Sequence, residues 1–426
     1  MNLFELTSTE INQRGMSTFE PRWMREQRMK SWESFQAAAF PNWIKSKTPK
    51  LDLAATAKIR FPEEPQPITV ERQVPKGTSG RIVIIDDQLF RVSLKPELAN
   101  QGVVFCDLQT AVLERADLLE RYLKDRHWVE GDKVSHFHQA LWNNGAFLFV
   151  PVGLEIDEPF QVQIIQRNVG QSVMNRNIII LDQRSQATVE EICLSDESSQ
   201  EMILNCSATE AIAEEASHLR YSSTQHWSDQ VYDEGFKEFR AMKYATIDVL
   251  HTILGGHSGR THIKGDSSNE GASIEHNGIL IGSQKQRFKI IPEMKHEFQQ
   301  SSGMMRYKGI LKDEAYAFLD GLIQVLPAGR GSQSRLEEET LLLGTKAHCD
   351  ALPALDIQTD QVQVSHAASI RQADKEQVFY LMSRGLDHEQ ARNMIIEGFF
   401  ESLLKVLPSD ESYQNTKDLI TQKLAA

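Results

Sequence analysis

Hydrophobic positions follow two rhythms along this chain. Met24, Trp32, Phe35 and Ala39 recur at multiples of three to four between Arg, Glu, Lys and Gln, the spacing of one helix face. They predict a helix from Ser17 to about Phe40, with Thr18 as its cap. Pro21 is tolerated in the first turn, where its missing N–H would be unpaired anyway. The segment from Pro41 to Pro67 carries five prolines and reads as a connector.

From about Arg81 to Ile370 the rhythm changes to short apolar runs broken by Gly, Asp, Asn and Ser. Ile82–Ile85, Phe147–Val152, Val162–Ile165, Ile178–Leu181, Ile279–Ile281, Leu322–Leu326 and Leu341–Leu343 have the length and Val/Ile content of strands. Asn144–Gly145 and Asn277–Gly278 are the main hairpin candidates. No helix-period segments alternate with the strands, so a doubly wound fold is disfavoured and a sandwich, a barrel or a β-solenoid remains. No crisp fixed-period repeat selects the solenoid. Beyond Ile370 helices return. Asp374 with Gln377 and Asp387 with Gln390 form capping boxes, and Gly385 can close the first helix. Ala391, Met394, Ile395, Phe399, Leu403 and Val406 form a stripe ended by Pro408. Ser409 opens a last helix carrying Leu419, Ile420 and Leu424.

Composition narrows the function more than the fold. A net charge of −13 without a basic block disfavours nucleic acid, whose phosphates need a concentrated basic surface. No run approaches the roughly 20 apolar residues that span a bilayer. The N-terminus lacks a basic segment followed by an apolar one, so no membrane association or secretion is expected. Cys106, Cys193, Cys206 and Cys349 include no CxxC pair, which favours reduced thiols in a cytoplasmic protein over disulfides or a zinc knuckle. His251, His257, His262 and His276 fit no metal spacing and read as scattered surface and turn histidines. The glycine-rich GTSGR at Gly77 and AGRGS at Ala328 lack the Lys-Ser/Thr of a phosphate loop, so nucleotide hydrolysis is not expected of this chain.

The stretch from Ala317 to Phe400 carries a resemblance. It reads AFLDGLIQVLPAGRGSQSRLEEETLLLGTKAHCDALPALDIQTDQVQVSHAASI and then EQVFYLMSRGLDHEQARNMIIEGFF. It resembles the SufB/SufD family of iron–sulfur cluster assembly proteins, with its F-x-G-x-I-x-V strand, its histidine near the end of the β region and its F-Y-L-x-S-R-G helix. His296, Ser301, Ser302 and the run from Tyr307 to Leu311 add to the likeness, as do Thr224 and Gln225. EPRWMREQRMKSW near the N-terminus is similar to the SufD branch. Lys289, where aspartate is common, and Glu338–Glu339–Thr340, where asparagines are usual, depart from the pattern.

The resemblance implies a mainly β fold, a parallel β-helix flanked by N- and C-terminal helical domains. The corresponding division is 1–75, 76–370 and 371–426. It also implies a non-catalytic SufD-type scaffold that pairs with SufB and with the SufC ATPase, or with a second copy of itself when isolated. No cofactor is expected to stay bound; iron or an iron–sulfur cluster would pass transiently through the interface with SufB. His366 matches the family histidine near that interface. Neutral imidazole suits iron, although a strand histidine hydrogen-bonded to a neighbour is the plainer reading. Cys349 lies two residues beyond Ala347, which aligns with a SufB cysteine, and strand alternation puts both on one face. Buried cysteine is, however, commonly just a small apolar residue. Val364 stands where many SufD chains have cysteine. Tyr380, Arg384 and Gly385 are the residues that the resemblance assigns to presenting the SufC contact, and Cys106, Cys193 and Cys206 read as core. A SufB-type cluster-binding scaffold is the first rival. An exported β-helix enzyme acting on polysaccharide, with charged residues along one face, is the second.

Overall fold

A computed structural model describes residues 9–12, 19–40, 53, 57, 69–70, 74–124, 132–167, 172–195, 202–372, 375–407 and 409–425. Its body is a parallel β-solenoid of two eleven-stranded sheets that face each other across an apolar lumen. In the first sheet His218 pairs with Thr246, Thr246 with Ser273, Ser273 with Ser302 and Ser302 with Gln333, so successive coils take 28, 27, 29 and 31 residues. That variation hides the repeat from any fixed-period search.

The repeat becomes visible at one corner. Arg184, Ala216, Tyr244, Gly271, Gln300 and Gly331 all have positive φ, between 54 and 74°, and stack coil upon coil. Each N–H from Arg184 to Gln300 donates to a carbonyl in the next coil, as Arg184 does to Glu215 and Tyr244 to Glu270. The residue that follows is always small and buried: Ser185, Ser217, Ala245, Ala272, Ser301 and Ser332. A left-handed residue turns the chain between sheets, and only a small side chain fits the tight corner behind it.

In-register stacking places like positions above one another. One lumen column of the first sheet runs Phe160, Val189, Tyr221, Val249, His276, Met305, Leu336 and ends on His366. Every member before His366 is at most 2% exposed. A column of the second sheet runs Asn205, Asp233, Gly259, Phe288, Ala317 and ends on Cys349.

The outer faces are covered selectively. The helix Arg22–Ala37 begins three residues later than a cap at Thr18 suggests, and Pro21 stands just before it. Met24, Trp32 and Phe35 face inward, while Ala39 lies exposed beyond the helix end. Thr18 and most of the Pro41–Pro67 connector fall outside the described residues. Arg28 joins the buried face, bound by Glu20 at 2.7 Å and stacked 3.9 Å from the Trp142 ring. This helix packs with Lys133–Leu141 over the second sheet, burying Leu204, Cys206, Ala208 and Phe236. Four short helices between Pro96 and Leu141 lie among residues whose runs suggested strands alone. Their apolar stripes are too brief to register as a helix period, and side-chain caps at Asp107 and Asp132 fix the starts of two of them.

Neither Asn-Gly pair makes a hairpin. Gly278 lies within the strand Ser273–Gly282, where a Cβ would stand 2.3 Å from the Tyr307 ring. Gly145 sits just before the strand Ala146–Val150, with its Cβ position against the Arg176 backbone. The tight hairpin is instead Gly80–Ile85 with Gln88–Leu94 through Asp86–Asp87.

The helices His388–Leu404 and Asp410–Ala425 lie on the outer face of the first sheet against Leu250, Leu254, Ile279, Ile281, Ile310 and Leu341. The Asp387–Gln390 capping box forms, Ser409 accepts from the Ser412 N–H at 3.1 Å, and Gly385 closes the preceding helix with φ 101°. Asp374 and Pro408 lie outside the described residues. The buried stripe is rotated from the expected one. Ile396, Phe400 and Leu404 join Ala391, Phe399 and Leu403 inside, and Met394 is 52% exposed, because the sheet face is broader than a single-stripe partner.

Crowding at the corner can be tested. Gly271→Ala places a methyl 2.3 Å from Tyr244, whereas Gly331→Ala meets nothing nearer than 3.5 Å. Both pay the left-handed cost of roughly 1–2 kcal/mol. Gly271→Ala should therefore lower the urea midpoint clearly more than Gly331→Ala.

Candidate functional site at the open end of the solenoid

The final coil consists of His348–Ala351 and Ala354–Ile357 in the second sheet and Gln363–Gln372 in the first. Each pairs with the preceding coil on one edge only. Nine of the ten residues of Gln363–Gln372 are exposed, and so are Leu352, Leu355, Ile357 and Ile370, each at 36–41%. Leu355, Ile357 and Ile370 continue the lumen positions of Ile323, Val325 and Thr340. The solenoid therefore ends with its apolar interior and two strand edges open, the arrangement that invites another chain.

His366 and Cys349 both belong to this coil, on opposite sheets. His366 is exposed at the lumen end of its column, above Leu336. Cys349 is 4% exposed, with its Sγ 3.5 Å from the Thr340 hydroxyl. Burial pushes its thiol up to about 11, outweighing the Thr340 contact, and the negative field of Glu338 and Asp350 adds to the rise. The two side chains share no hydrogen bond, and no three His, Cys, Asp or Glu side chains gather at metal-ligand spacing among the described residues. Val364 packs against the lumen core.

A second lumen column escaped the sequence reading. In register it runs Val162, Glu191, Ser223, His251, Gly278, Tyr307, Glu338 and Ala368. At its inner end Glu191 meets the Lys237 ammonium at 2.8 Å and accepts from Asn177 at 2.7 Å and Thr209 at 3.1 Å. Burial alone would raise the Glu191 carboxyl, but Lys237, with the Tyr221 and Asn177 donors, holds it down at about 2. His251 is bound through Nδ1 by Ser223, and burial depresses it to about 3, as it does His276. These two are lumen residues, not the surface histidines their irregular spacing suggested, because strand alternation turns them inward.

At the outer end Glu338 is 1% exposed with neither oxygen partnered, and the Tyr307 hydroxyl is likewise unpaired. Burial, with Asp320 nearby, pushes the Glu338 carboxyl up to about 7. Lys289, the other departure from the family pattern, instead pairs with Asp320 at 2.9 Å. No pattern in the chain announces this column, since only the register shows which polar strand residues are stacked. Cys193 and Cys206 are buried with their thiols raised by desolvation, and Cys106 is half-buried with its thiol pushed to about 12 for the same reason.

The helix Lys375–Ser383 packs on His388–Leu404 but adds no residue to the apolar cluster over the first sheet. Phe379 is 71% exposed, Tyr380 55% and Met382 41%. Arg384 donates to the Tyr380 hydroxyl at 3.1 Å and lies over its ring. These side chains, like Met394 of the helix His388–Leu404, are apolar groups left exposed after the domain has packed.

Comparisons with known proteins match the chain to one family. The profile described as SUF system FeS cluster assembly, SufBD core domain, matches residues 163–399. That of the SufBD protein N-terminal region matches residues 1–162. The chain is 26% identical to the iron–sulfur cluster assembly protein SufD of Bacillus subtilis, over 98% of this chain and 99% of that one. It is 25% identical to iron–sulfur cluster assembly SufBD family proteins of Staphylococcus saprophyticus and Staphylococcus aureus, over 92% of this chain and 87% of each of theirs.

Two substitutions probe the lumen. Lys237→Met strands the Glu191 charge and should cost about 3–5 kcal/mol in urea unfolding at pH 7. The ion pair's own contribution is present above the unfolded carboxylate range near 4.3 and is lost as pH falls toward 2. Glu338 has the opposite sign. Its raised carboxyl favours the fold below about pH 4.3, and that contribution is lost as pH rises through about 7. Glu338→Gln should therefore flatten the stability profile between those limits and raise the melting temperature at pH 8.

Proposed function

Since the chain belongs to the SufB/SufD family and is a SufD-type subunit of SUF iron–sulfur cluster assembly, we propose that it works by pairing end to end with a SufB-type subunit while its C-terminal helices hold a SufC-type ATPase. The uncapped last coil carries this reading. A solenoid buries each coil against its neighbours, so Gln363–Gln372, with its free edge and exposed Ile370, gains most from a second solenoid that extends both sheets. Covering the remaining surface of Leu355, Ile357 and Ile370 contributes on the order of 1 kcal/mol each. The free strand edges supply backbone hydrogen bonds that fix the register.

His366 and Cys349 then face the seam from opposite walls. Iron or a nascent cluster is cargo here, held transiently between subunits. His366 is placed to offer an imidazole from the rim, and Cys349 a thiol that must lose its proton on binding. The high thiol pKa disfavours a standing thiolate, so metal engagement by Cys349 would have to displace the proton. ATP hydrolysis belongs to the SufC-type partner, for which Phe379, Tyr380 and Met382 offer the apolar contact. Arg384 braces Tyr380, and Gly385 gives the turn that sets the helix at its angle. Among the described residues no helix is long and apolar enough to cross a membrane; a cytoplasmic setting is part of the proposal.

Anaerobic co-purification with SufB- and SufC-type partners tests the whole arrangement. Ile370→Lys should lose the SufB-type partner and keep the SufC-type one. Phe379→Asp should do the reverse, weakening SufC-type binding at least tenfold. Point substitutions are preferred to removing residues 374–426, because that deletion would expose the sheet face under Ile396 and Phe400. His366→Ala with unchanged iron and sulfide content in an intact complex would remove the imidazole from the scheme, and Cys349→Ser tests the thiol in the same way.

A further inference from the structure

Away from the open end, the last turn of Asp410–Ala425 meets the solenoid corner opposite the left-handed ladder. Between them lies a cleft of about 460 Å³, lined in part by Ser228, Asp229, Gln230, Ser283, Gln284 and Lys423. Ser228–Gln230 follow the strand His218–His226, and Ser283–Gln284 follow Ser273–Gly282, so corners two coils apart form one wall and the helix the other.

Lys423 is the cation of this cleft. It is 9% exposed, yet its ammonium makes no hydrogen bond or ion pair among the described residues, and burial lowers its pKa. Its stem is covered, and its ammonium opens onto the cleft. The neighbouring Lys312 reaches the Leu424 carbonyl at 3.3 Å. Asp229, the first opposing charge felt by Lys423, is held by the Gln286 amide at 3.2 Å. An ammonium without an acceptor and a carboxylate thus line the same cleft, among hydroxyl and amide groups.

We propose that this cleft binds a small amino or hydroxy acid, its carboxylate on Lys423 and its own N–H or O–H donor toward Asp229. The single carboxylate on the wall selects against a dianion such as phosphate and favours a ligand carrying both an acceptor and a donor. The cleft leaves room for water around so small a molecule. Occupancy ties the C-terminal helix to the solenoid corner.

Isothermal titration calorimetry of the full chain with L-serine and, separately, inorganic phosphate tests the assignment. L-serine should bind at one site, at least tenfold more weakly in Lys423→Met and in Asp229→Asn, with Lys423→Arg retaining binding. Lys423→Met should keep or raise the melting temperature of the free chain, since it removes a desolvated cation; this separates loss of binding from loss of fold. Phosphate binding that depends on Lys423 with L-serine silent would overturn the ligand class. Binding of neither, or L-serine binding indifferent to Lys423→Met in a folded variant, would overturn the site.

Discussion

In-register stacking of parallel strands governs most of what this molecule does. Each coil satisfies its backbone and buries its lumen side chains against the coils on either side, and no coil does so alone. The requirement fixes column after column of side chains, so the identity of one residue matters chiefly through those above and below it. It also has an unavoidable end effect. The coil containing Cys349 and His366 has one neighbour only, and its apolar lumen residues and strand edges remain open. The feature that makes the solenoid stable over most of its length leaves it incomplete where the candidate chemistry lies.

The lumen is not uniformly apolar. Beside the column that ends on His366 runs one holding Glu191, Ser223, His251, Tyr307 and Glu338. Its inner end is electrostatically closed, because Lys237, Asn177 and Thr209 satisfy Glu191. Its outer end is not, because Glu338 and Tyr307 lack partners. Buried polar groups are costly when unsatisfied, so this column stores instability just beneath the open face. The C-terminal helices divide their work similarly. One pair of C-terminal helices seals the first sheet, and the helix Lys375–Ser383 is left to present Phe379 and Tyr380 outward.

Some of this was legible in the residues before any coordinates. The Val- and Ile-rich runs fall in strands, and the Asp387–Gln390 box caps its helix. Local chemistry misled where a neighbour in space overruled it. Asn277–Gly278 has the composition of a hairpin turn, but Gly278 is needed mid-strand to admit the Tyr307 ring. The recurring left-handed residue followed by Ser or Ala was present all along, and coils of unequal length concealed it.

The order of residues along the chain specifies the local vocabulary: strand-forming runs, capped helices, and motifs similar to the SufB/SufD family. These depend on residues close together along the chain, whose spacing sets backbone preference directly. Packing in three dimensions sets which residues share a column, places His366 and Cys349 on opposite walls of one open coil, and leaves Glu338 unpaired beneath them. Those relations join residues about thirty positions apart through strand register, and register is set by packing across the whole lumen, which no short stretch of chain contains.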